Sequence, residues 1–255
     1  MNYHVTGSGG IDIACETMGE GPPVLLIHGF GANRAITWRN TGWFDVLVKA
    51  GHQVIAMDCR GHGQSGKPHA PEDYDDGIMA SDAFSVLAGL SVRSADVMGY
   101  SMGAQLAIRL MHDRPGVVRR CILAGIGEGY FHPSPQINEN IAQALEASDP
   151  AAIQTPIARE FRIFCERAGN DLVAMAACMR RPRRIFSPTE LNSFPHRVLV
   201  VCGSEDTLAG SPEVLASAFT HGESCIVPRR NHHSTVGDRT YKDAAVSFLA
   251  QQDQG

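Results

Sequence analysis

A serine, an aspartate and a pair of histidines stand at three separated points of this chain, in types and order that suit acyl transfer. The serine lies in Val97-Met98-Gly99-Tyr100-Ser101-Met102-Gly103-Ala104-Gln105-Leu106. This stretch reads as a short apolar strand, a Gly-x-Ser-x-Gly turn and an amphipathic helix that begins at once. A serine between strand and helix is forced into a tight turn that pushes its hydroxyl out of the backbone. Gly99 and Gly103 lack the Cβ atoms that would clash where strand and helix close on each other. The helix start behind Ser101 offers unpaired N–H groups and a positive dipole end, both suited to a developing oxyanion. A serine hydroxyl is a poor nucleophile until a base takes its proton. The rest of the chain must therefore supply a base, a carboxylate and a second oxyanion donor.

The elements that would position these groups follow from hydrophobic periodicity. Tyr3–Thr6 and Ile11–Cys15 read as a hairpin across Gly7-Ser8-Gly9-Gly10. Val24–Ile27 and Gln53–Met57 are continuous apolar runs of the kind buried on both faces of a parallel sheet. Helices are expected at Phe44–Ala50, Ile78–Leu90 and Met102–His112, and a strand at Arg119–Ala124. Strands alternating with helices at this spacing predict an α/β fold, a mostly parallel central sheet flanked by helices. From Gly125 to Pro195 the rhythm changes to helical periodicity (Ile137–Ala147, Ala151–Ala168, Asp171–Met179), divided by prolines. The expected organisation is a core of residues 1–124 and 196–255 with a helical cap inserted at 125–195. Strand-like runs resume at Arg197–Cys202 and Ser224–Val227, and a last helix is expected near Thr240–Gln251. Gly203-Ser204-Glu205-Asp206 follows the first of these strands, and Arg229-Arg230-Asn231-His232-His233 follows the second. In a parallel sheet both loops leave the same edge as Ser101.

With Ser101, an acidic loop and a histidine loop in that chain order, the sequence resembles the α/β-hydrolase fold family. The likeness is to its branch of small serine esterases and carbon–carbon bond hydrolases with a helical cap. The resemblance implies a catalytic triad: Ser101 as nucleophile, His232 as base and then acid, and Asp206 orienting the imidazole and stabilising its cation. The family's strand-end spacing falls on Asp206 rather than Glu205. Counting from the strand end favours His232 over His233, although the glycines usual in that loop are replaced here by Arg229 and Arg230. His233 is expected to pack beneath the cap, and both arginines to point toward solvent. His28-Gly29-Phe30-Gly31 resembles the family's oxyanion segment, which implies an oxyanion hole built from the backbone N–H groups of Phe30 and Met102. His28 and the Asp58-x-Arg60-Gly61-His62-Gly63 turn are expected to be structural.

Composition narrows the function further. The chain has 255 residues, 44% hydrophobic and 19% charged, with a formal net charge of −5, and gives no electrostatic case for nucleic acid. No apolar run approaches a membrane span, and no signal peptide is visible. Seven scattered cysteines show no metal-ligand spacing, so small core residues in a reducing, cytoplasmic setting are expected. Neither a cofactor nor a metal is implied, and the sequence does not speak to oligomeric state. Arg180-Arg181-Pro182-Arg183-Arg184 is expected to be a solvated charged turn, with an anion site as the sharper alternative. Phe131, Ile137, Phe161, Phe164, Met175, Met179 and Phe186 are expected to line a compact pocket for small or medium acyl groups. The expected activity is hydrolysis of a small carboxylic ester, lactone or thioester through an acyl-enzyme. The alternatives are cleavage of a carbon–carbon bond beside a ketone with the same triad, or a small-molecule receptor on the same fold.

Overall fold

The computed structural model describes residues 1–251. The apolar runs become strands β1 (Asn2–Thr6), β2 (Asp12–Met18), β3 (Pro23–Ile27), β4 (Gln53–Met57), β5 (Ala95–Tyr100), β6 (Val118–Ala124), β7 (Arg197–Gly203) and β8 (His221–Val227). They form one sheet in the order β1-β2-β4-β3-β5-β6-β7-β8. The expected hairpin is the antiparallel β1–β2 pair, with Val5 opposite Ile13. The β2–β4 pair is also antiparallel, and the remaining pairs run parallel. Helices α1 (Trp43–Lys49), α2 (Asp76–Gly89), α3 (Met102–Asp113), α4 (Pro135–Glu146), α5 (Pro156–Arg167), α6 (Leu172–Met179), α7 (Pro188–Asn192), α8 (Pro212–Ala216) and α9 (Arg239–Ala250) cover it.

The continuous apolar strands are explained by burial on both faces. In β3, Leu25 and Ile27 join the core under α2 and α3, while Val24 and Leu26 join the core under α1 and α9. In β7, Val198 and Val200 face the first core and Leu199 and Val201 the second. Strands β6 and β7 are direct neighbours, with Ile122 beside Leu199, although the chain between them carries α4 to α7. The described residues of that span include no strand. The helix starts there differ slightly from the periodicity. Ser134 accepts the Ile137 N–H and Pro135 suits a first turn, so α4 begins two residues early. Helix α7, which periodicity did not suggest, starts in a Ser187–Glu190 capping box. All seven cysteines are free; Cys225 is half-buried and the others are buried.

Two polar clusters fix the loops after β3 and β4. Asp58 accepts the backbone N–H groups of Arg34 (2.8 Å) and Gln64 (2.9 Å) and pairs with the Arg34 guanidinium. Arg60, fully buried, pairs with Asp82 (2.6 and 2.8 Å). His28 Nε2 accepts the Cys59 N–H (2.9 Å), and His62 Nε2 accepts the Gly31 N–H (3.1 Å). Their Nδ1 atoms face the carbonyls of Gly29 and Arg60, so each ring carries its proton on Nδ1 and is neutral. Burial is the main cause that pulls both histidines below the usual range, and it does the same for His196. The structural reading of His28 and of the Asp58–Gly63 turn is the one these contacts support.

Two outcomes follow from this packing. A Cβ at Gly103 would collide with the Ile27 carbonyl oxygen and lie 2.7 Å from that of His28, both backbone atoms, whereas one at Gly116 meets nothing within 4 Å. Gly103→Ala should therefore destabilise by roughly 1–3 kcal/mol or more, and Gly116→Ala should be near neutral; urea unfolding of both compares them. The second outcome concerns pH. Below about pH 6.5 the unfolded chain takes up protons that His28, His62 and His196 refuse when folded, so stability must fall as pH drops, by up to about 1.4 kcal/mol per pH unit per histidine. The urea midpoint should decline from pH 7 to pH 5, less steeply in His62→Gln. An equal slope in both proteins would remove His62 from this linkage.

Candidate active site

Ser101 closes the junction of β5 and α3 with φ 53° and ψ −110°, a left-handed φ rare for a side-chain-bearing residue. Its N–H donates to the Ala124 carbonyl (2.7 Å), which ties the turn to β6. A serine at a helix start ordinarily accepts an N–H of the first turn. Here the hydroxyl makes no such bond and instead lies 3.1 Å from His232 Nε2. The first turn of α3 is left partly open as a result. The backbone N–H groups of Met102 and Phe30 find no acceptor among the described residues, and both residues border the cavity above Ser101.

His232 Nδ1 lies 2.8 Å from Asp206 Oδ2. Asp206 is buried, and its other oxygen accepts the N–H groups of Leu208 (3.1 Å) and Ala209 (3.0 Å), which hold the carboxylate as an acceptor facing the ring. Tyr100 donates its hydroxyl to the His232 carbonyl (2.5 Å), a contact the sequence did not suggest. Burial pushes the Tyr100 phenol well above its usual range, so it stays protonated and able to donate. The five residues singled out from the sequence thus meet in one place: Ser101, His232 and Asp206 in a hydrogen-bonded row, with Phe30 and Met102 beside it. Glu205 is exposed. Arg229 is also exposed, and Arg230, exposed as well, pairs with Asp238 (2.6 Å), so both arginines face solvent as expected. His233 sits exposed on the rim of the cavity rather than packed away beneath the expected cap, its ring 5.9 Å from Phe164 and 5.8 Å from His232.

The cavity has a volume of about 400 Å³. Of the side chains expected to line it, Ile137, Phe161, Phe164 and Met179 do so. Met175 and Phe186 instead are fully buried in the core, and Phe131 packs at its edge. Two further residues on the wall overturn the expected solvated turn. Arg180 and Arg184 do behave as surface charges, paired with Glu139 and Glu146 and with Glu190. Arg181 is only 6% exposed, and both it and Arg183 line the cavity. The turn leaving α6 sends the two outer arginines of the run, Arg180 and Arg184, to the surface and the two inner ones, Arg181 and Arg183, to the cavity. Gln105 also lines the cavity; its spacing of one helical turn from Ser101 was the signal that could have found it.

Comparison with known proteins bears on the fold and the family. Over 220 residues the chain is 27% identical to a 2-hydroxymuconate semialdehyde hydrolase of Pseudomonas sp. (strain CF600), covering 78% of this chain and 75% of that one. Several matches are partial: the chain spans about a third of an uncharacterized protein of Mycobacterium tuberculosis, at 37% identity over 116 residues (45% of this chain, 32% of that protein). Among solved structures, a hydrolase from Pseudomonas aeruginosa PA01 superposes with TM-score 0.82 at 23% identity, covering 98% of each chain. An esterase from Exiguobacterium antarcticum superposes with TM-score 0.78 at 20% identity, covering 98% of this chain and all of that one. At these identities the superpositions speak to the fold. The model of the alpha/beta hydrolase fold matches residues 22–195 of the 255, and with the eight-stranded sheet this establishes that the chain belongs to the alpha/beta hydrolase fold family.

Proposed function

We propose that this protein is a serine hydrolase that cleaves a small carboxylic ester, lactone or thioester through an acyl-enzyme. The observation that carries the reading is the hydrogen-bonded row from Ser101 through His232 to buried Asp206, opening onto the cavity. In the first half-reaction Ser101 Oγ attacks the carbonyl carbon while its proton passes to His232 Nε2. The oxyanion so formed is met by the backbone N–H groups of Phe30 and Met102 and by the positive end of α3. Asp206 stabilises the imidazolium. The tetrahedral adduct then collapses: the bond to the leaving group breaks, and that group takes the proton from His232. Water repeats the sequence on the acyl-enzyme, giving its proton to His232, releasing the acid and restoring Ser101. Residues 125–195 serve in this reading as a cap over a core of 1–124 and 196–255, supplying the apolar wall that bounds the acyl group. The seven unpaired thiols suit a cytoplasmic setting. Among the described residues no helix is long and apolar enough to cross a membrane.

A second reading keeps the same residues but breaks a carbon–carbon bond beside a ketone. It is favoured by the similarity to the 2-hydroxymuconate semialdehyde hydrolase along most of both chains. Burst kinetics on p-nitrophenyl butyrate supports the ester reading, and turnover of a vinylogous 1,5-diketone acid without ester turnover supports the other.

The row predicts an asymmetric mutational result. Ser101→Ala and His232→Ala should each lower kcat on p-nitrophenyl butyrate by about 10⁶-fold, because the two act as one unit. Asp206→Asn should cost about 10⁴-fold. His233→Ala, on the rim, should retain most of the activity; if it is the inactive variant, the base is wrongly assigned. Short acyl esters should also be hydrolysed faster than dodecanoyl esters at monomeric concentrations, and the reverse order would count against a cap-bounded pocket.

A further inference from the structure

Most buried cations in this protein have an opposite charge within reach. Buried Arg60 has Asp82 and buried Arg34 has Asp58, and half-buried Arg119 has Asp96. Arg162, which lacks one on its inner side, donates three times to the carbonyls that end α4 and pairs outward with Glu166. Arg181 and Arg183 differ. Among the described residues neither has a carboxylate within 4.0 Å. Arg181 donates to the Cys178 carbonyl (3.0 Å) and to Gln105 Oε1 (3.0 Å); Arg183 donates to the Met179 carbonyl (3.1 Å) and lies against its sulfur. The Nε–H of each is buried with no acceptor at all. The nearest carboxylate that acts on both is Asp76, and its two oxygens are already taken by Arg109 (2.6 Å) and the Arg184 N–H (2.7 Å). Burial, and then the charge on Arg181, pull Arg183 down to about 9, so it remains a cation at neutral pH. An unpaired buried charge is among the costliest features a fold can carry. Arg181, buried, and Arg183, half-buried next to it, line the cavity that holds Ser101 and ask for an anion supplied from outside.

We propose that Arg181 and Arg183 form an anion subsite of this cavity, and that the substrate is an ester bearing a free carboxylate at the end remote from the scissile bond. This rests on the hydrolase reading above. Guanidinium groups suit the task because their planar donors match a carboxylate in paired fashion and they stay charged when desolvated. Gln105 sets the span. It lies four residues beyond Ser101 on α3, a rise of about 6 Å, and its amide oxygen holds Arg181. A short dicarboxylic acid, esterified at one end, covers such a distance. The same two arginines border a second, outer cavity with Arg180 and Glu139, but there Arg180 is matched by Glu139 and Glu146. The uncompensated charge belongs to the inner pair.

Two esters of equal acyl length test this: the mono-p-nitrophenyl ester of glutaric acid and p-nitrophenyl pentanoate. In the wild-type protein kcat/KM for the acid ester should exceed that for the neutral one by at least tenfold. In Arg181→Gln and Arg183→Gln that ratio should fall toward one. Turnover of pentanoate with a ratio at or below one in the wild-type protein overturns the subsite while leaving the hydrolase reading standing. Absence of turnover on both esters sinks the ester reading, and the subsite is then judged by binding. Glutarate should raise the melting temperature of Ser101→Ala, pentanamide should not, and adding Arg181→Gln and Arg183→Gln should abolish the glutarate shift. Equal shifts with glutarate and pentanamide, or a glutarate shift that survives loss of both arginines, overturn the proposal. Should the arginine variants fail to fold, competitive inhibition of wild-type turnover by glutarate over pentanamide decides it alone, and equal inhibition counts against the subsite.

Discussion

The structure depends on one crowded crossing. Helix α3 starts directly over the ends of β3 and β5, so close that its first turn touches the carbonyls of Ile27 and His28 where Gly103 passes them. That approach leaves Ser101 only a left-handed turn in which to reverse the chain, and the turn throws its side chain upward. The surroundings are built to hold this conformation: β6 accepts the Ser101 N–H, and Tyr100 reaches from the last position of β5 to grip the backbone of the histidine loop. A strained φ persists only where packing over-determines it. Here the sheet on one side and α3 on the other supply that determination.

The loops after β3 and β4 do a different job by different means. They carry no regular hydrogen-bond ladder, so buried polar side chains satisfy their backbone groups instead. His28 and His62 act as neutral acceptors, one for Cys59 and one for Gly31, and Asp58 receives two further N–H groups. The Arg60–Asp82 pair anchors the second loop to α2. Buried ion pairs are weak evidence for stability because desolvation offsets much of their attraction. Their effect here is geometric: they hold Phe30 at the cavity with its N–H lacking an acceptor among the described residues.

Sequence made the local features legible and hid the non-local ones. The Gly99–Gly103 turn, the doubly buried strands and the serine–aspartate–histidine order are written in consecutive residues or in chain order, so periodicity and spacing reach them. The direction of each arginine in 180–184 is not. It depends on where α6 ends and on Glu139 and Glu146, far back on α4, which capture Arg180 and leave Arg181 to turn inward. Met175 and Phe186 were misplaced on the cavity wall for a related reason. Helical periodicity identifies an apolar face, but which neighbour that face meets, core or cavity, is decided by the packing of α6 against α4 and the strand ends. Tyr100 escaped notice because its partner is a backbone carbonyl, and backbone groups carry no residue-type signal.

The diverted hydroxyl of Ser101 has a thermodynamic side. A side chain at that position which bent down onto the first turn of α3 would satisfy an orphan donor, a contact commonly worth about 1 kcal/mol. An aspartate or asparagine tolerates the left-handed φ and caps more readily than it reaches across to an imidazole. Replacing Ser101 by such a residue is therefore expected to gain stability while losing the contact to His232.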